Sequence, residues 1–84
     1  SAPMPIEARL HRAHGALTTL TNGRHSWASD VSKLLGSNDA APDAHELLDS
    51  ALAACTALTL ELYIRRKQMA VRSLRVVVAH EESK

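Results

Sequence analysis

The stretch from Ala44 to Lys67 contains neither glycine nor proline, and between Ser50 and Leu60 it carries no charged residue. A helix over this stretch is apolar on every side, and such a helix is ordinarily buried on every side. At roughly 1.5 Å per residue it is about 35 Å long, the width of a small domain, so it is expected to be the central rod of the fold. Its start is marked by Asp43, which can cap the first turn, and by Glu46 three residues on, which completes a capping box, with Pro42 just outside. Ala51, Ala53, Ala54 and Ala57 permit close approach of another backbone, and the matching helix of a second copy is the natural occupant.

The flanking sequence alternates instead. Ile6, Ala8 and Leu10 fall on one side and Glu7, Arg9 and His11 on the other, the period of a half-buried strand, and Gly15 breaks the run. Ala16 to Thr21 gives a second strand leading into Asn22-Gly23, a dipeptide favoured in a type I′ hairpin because both central positions need positive φ. Arg24 to Ser29 then returns beside it, which completes a three-stranded antiparallel meander. Asp30 to Ala44, rich in Gly, Asn, Asp and Pro, reads as a mobile connecting loop with one short turn around Val31 to Leu35. After the helix Leu74, Val76 and Val78 alternate with Arg75, Val77 and Ala79, a further strand. The expected fold is α+β in the order β-β-β-α-β, one domain over residues 1–84.

A chain of 84 residues builds only a small core, and its aromatic side chains are Trp27 and Tyr63 alone. A partner chain that covers what one copy leaves exposed is therefore expected, and a homodimer is the simplest form. The net charge is +1 with both signs interspersed, which offers no footprint for nucleic acid or an anionic membrane. The one basic run, Arg65 to Lys67, sits where cations face the negative end of the helix dipole. The first twelve residues show no signal-peptide core and no apolar run looks long enough to span a bilayer, so a cytoplasmic location is expected. His11 and His14, three apart on a strand, would face opposite ways, which argues against a shared metal ion, and no cofactor is expected.

The single cysteine, Cys55, excludes an intramolecular disulfide framework and a four-thiolate zinc site, and fits a reducing compartment. Its helix neighbours are Ala51, Leu52, Leu58 and Thr59. Apolar walls alone leave a thiol inert, so reactivity requires a cation or donor from elsewhere, with Arg9, His11, Arg12, His14, Arg24 and His25 as candidates. The residues by themselves leave a packing cysteine and a reactive one both open.

Three stretches carry a resemblance: "HELLDSALAACTALTLELYIRRK" at residues 45–67, "GRHSWASD" at 23–30 and "RSLRVVVAHEESK" at 72–84. Together they resemble the OsmC/Ohr superfamily of bacterial peroxide-resistance proteins, in particular its OsmC-like redox branch. The resemblance implies an intertwined homodimer with central helices packed inside, sheets wrapped around them, and active sites at the interface. It places Cys55 at the peroxidatic position, where the thiol attacks an organic hydroperoxide and becomes a sulfenic acid. Glu46 matches the carboxylate at the start of the helix, and Arg12 and Arg9 are the candidates for the arginine supplied by the N-terminal sheet.

In the family a second cysteine closes a disulfide that a dithiol such as a lipoyl group reduces. The family also carries a further half-domain, with a second long helix and that resolving cysteine. The chain is thus expected to match the N-terminal part of such a domain, incomplete at its C-terminus. The cycle would then close through an external thiol or a disulfide between two copies of Cys55. The expected function is a thiol-dependent redox protein reducing organic hydroperoxides in oxidative stress defence. A noncatalytic dimeric module of the same fold, binding a small apolar ligand, is the alternative.

Overall fold

The computed structural model describes residues 4–79 and Glu81, and the chain divides into two compact units that part between Leu47 and Leu48. The first unit is built on a three-stranded antiparallel sheet of β1 (Glu7–Leu10), β2 (Thr18–Thr21) and β3 (Ser26–Ser29), in that spatial order. The register sets Ala8 opposite Leu20 and Leu20 opposite Trp27. Because side chains alternate along a strand, these three share one apolar face, while Glu7, Arg9, Thr19, Thr21 and Ser26 share the polar one. The alternation in the sequence thus becomes the meander it implies.

The hairpin between β2 and β3 differs from the expected type I′ turn. Thr21 pairs with Ser26, and the Asn22 N–H donates to the His25 carbonyl at 3.3 Å, so the central residues are Gly23 and Arg24, not Asn22 and Gly23. Only Gly23 has positive φ, at 93°, a sign pattern that belongs to type II′. Asn22 serves through its side chain: its Oδ1 accepts the N–H groups of Arg24 at 2.9 Å and His25 at 2.8 Å. That bonding draws Asn22 out of the turn's centre and moves the turn one residue along.

Between β1 and β2 a 3-10 turn, Arg12–His14, ends at Gly15 with φ 73° and ψ −114°, a conformation open to glycine. The segment after β3 holds a second 3-10 turn, Lys33–Leu35, where a short turn was expected. The segment is nonetheless tethered, contrary to the mobile loop expected. Asp30, only 2 % exposed, donates its N–H to the Pro42 carbonyl at 3.1 Å, and its carboxylate accepts bonds from the Val31 and Ala40 N–H groups and the Ser37 hydroxyl.

The helix α1 (Ala44–Lys67) has the bounds its sequence implies. The capping box is formed: Glu46 N–H donates to Asp43 Oδ1 at 2.8 Å, and Asp43 N–H donates to Glu46 Oε1 at 3.1 Å. At the other end Gln68 adopts φ 52°, its N–H bonds the Arg65 carbonyl, and the Met69 N–H bonds the Ile64 carbonyl. This is a Schellman closure with glutamine where glycine is usual.

Two expectations fail beyond this point. No residue of α1 is buried, and no hydrophobic side chain among the described residues is, so α1 is not an enclosed rod in a single copy. An apolar helix is buried only where other apolar surface covers it. Leu74–Ala79 forms no strand, because a strand exists through a neighbour's N–H and C=O groups and none among the described residues is paired with this segment. His80, in the stretch of resemblance at residues 72–84, lies outside the described residues.

The view that no run could span a bilayer is also corrected. Over its most apolar eighteen residues α1 has a mean hydropathy of 1.5, enough by length and composition to cross a membrane. The acidic residues Asp49 and Glu61 flank the charge-free stretch from Ser50 to Leu60 and are few enough for the longer run to keep this hydropathy.

Candidate functional site

Cys55 is exposed. At about 100° per residue, Leu48, Ala51, Leu52, Cys55, Leu58, Thr59 and Leu62 fall within an arc of about 120° on α1, and Cys55 stands near its midline. Every one of them is exposed, with Leu48 at 69 %, Leu52 at 56 %, Leu58 at 57 % and Leu62 at 54 %. The half-buried positions Ala53, Ala57 and Ile64 fall on the opposite side. The cysteine is thus at the centre of an open leucine face. Thr59 lies one turn on, and its hydroxyl donates to the Cys55 carbonyl at 3.0 Å.

The face ends in a basic cluster. Arg65 Nε lies 2.6 Å from Glu61 Oε2, while the cationic groups of Arg66 and Lys67 each stand 5.8 Å from the centre of the Tyr63 ring. Glu46 occupies the first turn, and one of its oxygens is engaged in the capping box. Nine residues of helix rise, about 13 Å, separate it from Cys55 along α1.

The two candidate arginines belong to the first unit. Arg9, on the polar face of the sheet, has its guanidinium 3.7 Å from the Glu7 carboxylate. On the same face the His11 Nε2 and the Thr19 hydroxyl are 3.0 Å apart, and these residues line a shallow depression with Thr21 and Ser26. Arg12 opens the 3-10 turn that follows β1 and is exposed. Among the described residues its guanidinium has no ion pair, whereas that of Arg9 is shared with Glu7. His14 closes the same 3-10 turn, so the His11–His14 pair is not carried on a strand as its spacing had suggested.

No protein-family model, curated protein or solved structure matches the chain. Residues and geometry alone therefore carry the chemistry. An exposed thiol on a helix can act as a nucleophile toward an electrophile in solution once it is ionised.

The polar centre that the sequence left unremarked is Asp30 with Ser37. Ser37 Oγ also accepts the Ala16 N–H at 3.1 Å, so one carboxylate and one hydroxyl join the end of β3, the following loop and the approach to β2. The bond from Ser37, followed by that from the Ala40 N–H, holds the Asp30 carboxyl below its ordinary value, against the opposing effect of burial. An aspartate at a strand end before a Gly/Ser/Asn-rich segment is the signal that could have marked it.

Proposed function

We propose that the chain is a thiol-dependent redox protein of the cytoplasm, working as a homodimer, in which Cys55 reduces organic hydroperoxides. The observation that carries this reading is the exposure of the only thiol at the centre of α1. The resemblance of the segments around Cys55 to the OsmC-like branch supports it from the sequence side.

In the proposed step the Cys55 thiolate attacks the distal peroxide oxygen and the O–O bond breaks. The alkoxide leaves and takes up a proton, and the sulfur is oxidised to sulfenic acid. A dithiol of the lipoyl kind then returns it to the thiol, with loss of water. The resemblance calls for an arginine from the N-terminal sheet, and Arg12 is taken ahead of Arg9 because Arg9 is already shared with Glu7.

The test is a slight excess of cumene hydroperoxide with dimedone present. The expected result is one dimedone adduct on Cys55 within seconds, absent in Cys55→Ser. A thiol that stays reduced under conditions that oxidise free cysteine would overturn the reading.

The alternative, a noncatalytic dimeric module of the same fold binding a small apolar ligand, is favoured by one observation, the open leucine face of α1. Under that reading Cys55→Ser changes stability and no reaction.

A further inference from the structure

We propose that Asn22-Gly23 is a latent deamidation site, shielded while the β2–β3 hairpin is closed and converted to aspartate and isoaspartate when the hairpin opens.

The chemistry needs these two neighbours and water. The backbone nitrogen of Gly23, on losing its proton, attacks the side-chain carbonyl carbon of Asn22. A C–N bond forms, the side-chain nitrogen leaves as ammonia, and a five-membered succinimide remains. Water opens that ring at either carbonyl and gives aspartate or isoaspartate, so each event consumes one water and releases one ammonia. Glycine in the second position favours the attack, because no Cβ hinders the approach of its nitrogen.

The closed hairpin holds every participant away from the reaction. Attack requires the nitrogen and the carbonyl carbon to be aligned about 3–3.5 Å apart, with the side chain folded back on its own following peptide group. Thr21 pairs with Ser26 and the Asn22 N–H donates to the His25 carbonyl at 3.3 Å, so Asn22 keeps the extended backbone of a residue that enters a hairpin turn. Ring closure from an extended backbone calls for a rotation of roughly 100° about the Cα–C bond, which the pairing forbids. The Asn22 Oδ1 is drawn across the turn to the N–H groups of Arg24 and His25. The Gly23 N–H donates to the Thr21 hydroxyl oxygen at 2.9 Å, which retains the proton that has to leave.

The same turn requires the reactive pair. Gly23 stands at φ 93°, and a Cβ built on it would lie 2.8 Å from Met4 Cε. Asn22 supplies the one oxygen that takes up both turn N–H groups. A dipeptide prone to deamidation is thus kept because it closes the hairpin, and closure protects it.

The two products differ in what they do to the sheet. Aspartate keeps an acceptor oxygen for Arg24 and His25. Isoaspartate inserts a methylene into the main chain between β2 and β3, so Leu20 no longer falls opposite Trp27. A hairpin that ages this way while open does not close again in its first register, and a transient opening becomes permanent.

The experiment incubates the full chain at 37 °C and pH 7.4, in buffer and in denaturing urea, and follows the gain of about one mass unit in the peptide holding Asn22. Isoaspartate is read by labelling with protein isoaspartyl methyltransferase. The rate in buffer is expected to be at least about tenfold below the rate in urea, as for a site open in about a tenth of molecules or fewer. Thr21→Val removes the acceptor of the Gly23 N–H and is expected to raise the rate in buffer while leaving the rate in urea unchanged. Asn22→Asp is expected to hold the wild-type urea midpoint, and Asn22→Ala to lower it. A rate in buffer equal to or above that in urea overturns the proposal, as does a Thr21→Val rate in buffer no faster than wild type.

Discussion

Ser37 donates its hydroxyl hydrogen to the carboxylate of Asp30, and the two are the buried polar residues of the described chain. Their bond fastens the loop alongside its backbone bonds, among them Asp39 N–H to the Val31 carbonyl and Ser37 N–H to the Ser32 carbonyl. Asp30→Asn puts an amide N–H₂ where a backbone donor or the hydroxyl now points, so thermal denaturation is expected to show a midpoint several degrees below wild type.

The same carboxylate predicts a pH dependence. Its folded pKa is depressed from 3.8, so the charged form favours the folded state. That contribution is complete above the unfolded value near 3.9 and is lost as pH falls through the lower folded value. Urea unfolding of wild type is expected to show stability sustained from neutrality to about pH 4.5 and a decline below it, with a shallower decline in Asp30→Asn. Equal acid slopes would refute this.

Gly15 stands against that centre. A Cβ built on it would lie 2.6 Å from Ser37 Oγ, at a backbone φ of 73°. Gly15→Ala therefore combines strain with a clash at a hydroxyl already committed on two sides, and a loss of about 1–3 kcal/mol is expected in chemical denaturation.

The capping box predicts a contrast at the start of α1. Asp43→Ala removes the acceptor of the Glu46 N–H and is expected to cost about 0.5–2 kcal/mol. Glu46→Gln keeps an oxygen for the Asp43 N–H and is expected to cost only about a few tenths. Circular dichroism through a urea titration reads both.

At the far end Gln68 closes α1 at φ 52°, a region costly for a residue with a side chain. Gln68→Gly is expected to raise stability by about 0.5–1 kcal/mol, seen as a higher urea midpoint at unchanged m-value.

For the proposed peroxide step, in which the resemblance calls for an arginine, Arg12→Gln is expected to slow Cys55 oxidation as read by dimedone trapping. Arg9→Gln is expected to have a smaller effect, since Glu7 already shares that charge. Stopped-flow oxidation rates of wild type and the two variants side by side check the order.

The bounds of α1, its capping box and the three-strand meander were legible in the sequence because each is written in short-range patterns: a capping pair three residues apart, a run without breakers, an alternation of period two. The hairpin turn was misread by one residue because the side chain of Asn22 outbid the backbone preference of Asn-Gly, a competition that only the bonded geometry resolves. Asp30 looked like any loop aspartate until the fold brought Ser37 and Ala40 to it from seven and ten residues away. Leu74 to Ala79 has the alternation of a strand and no ladder among the described residues, and α1 has the composition of a buried helix and an open leucine face. Local pattern decides what a segment can become. Whether a strand is paired or a helix enclosed depends on surfaces contributed by other segments or other copies, and no short-range pattern contains them.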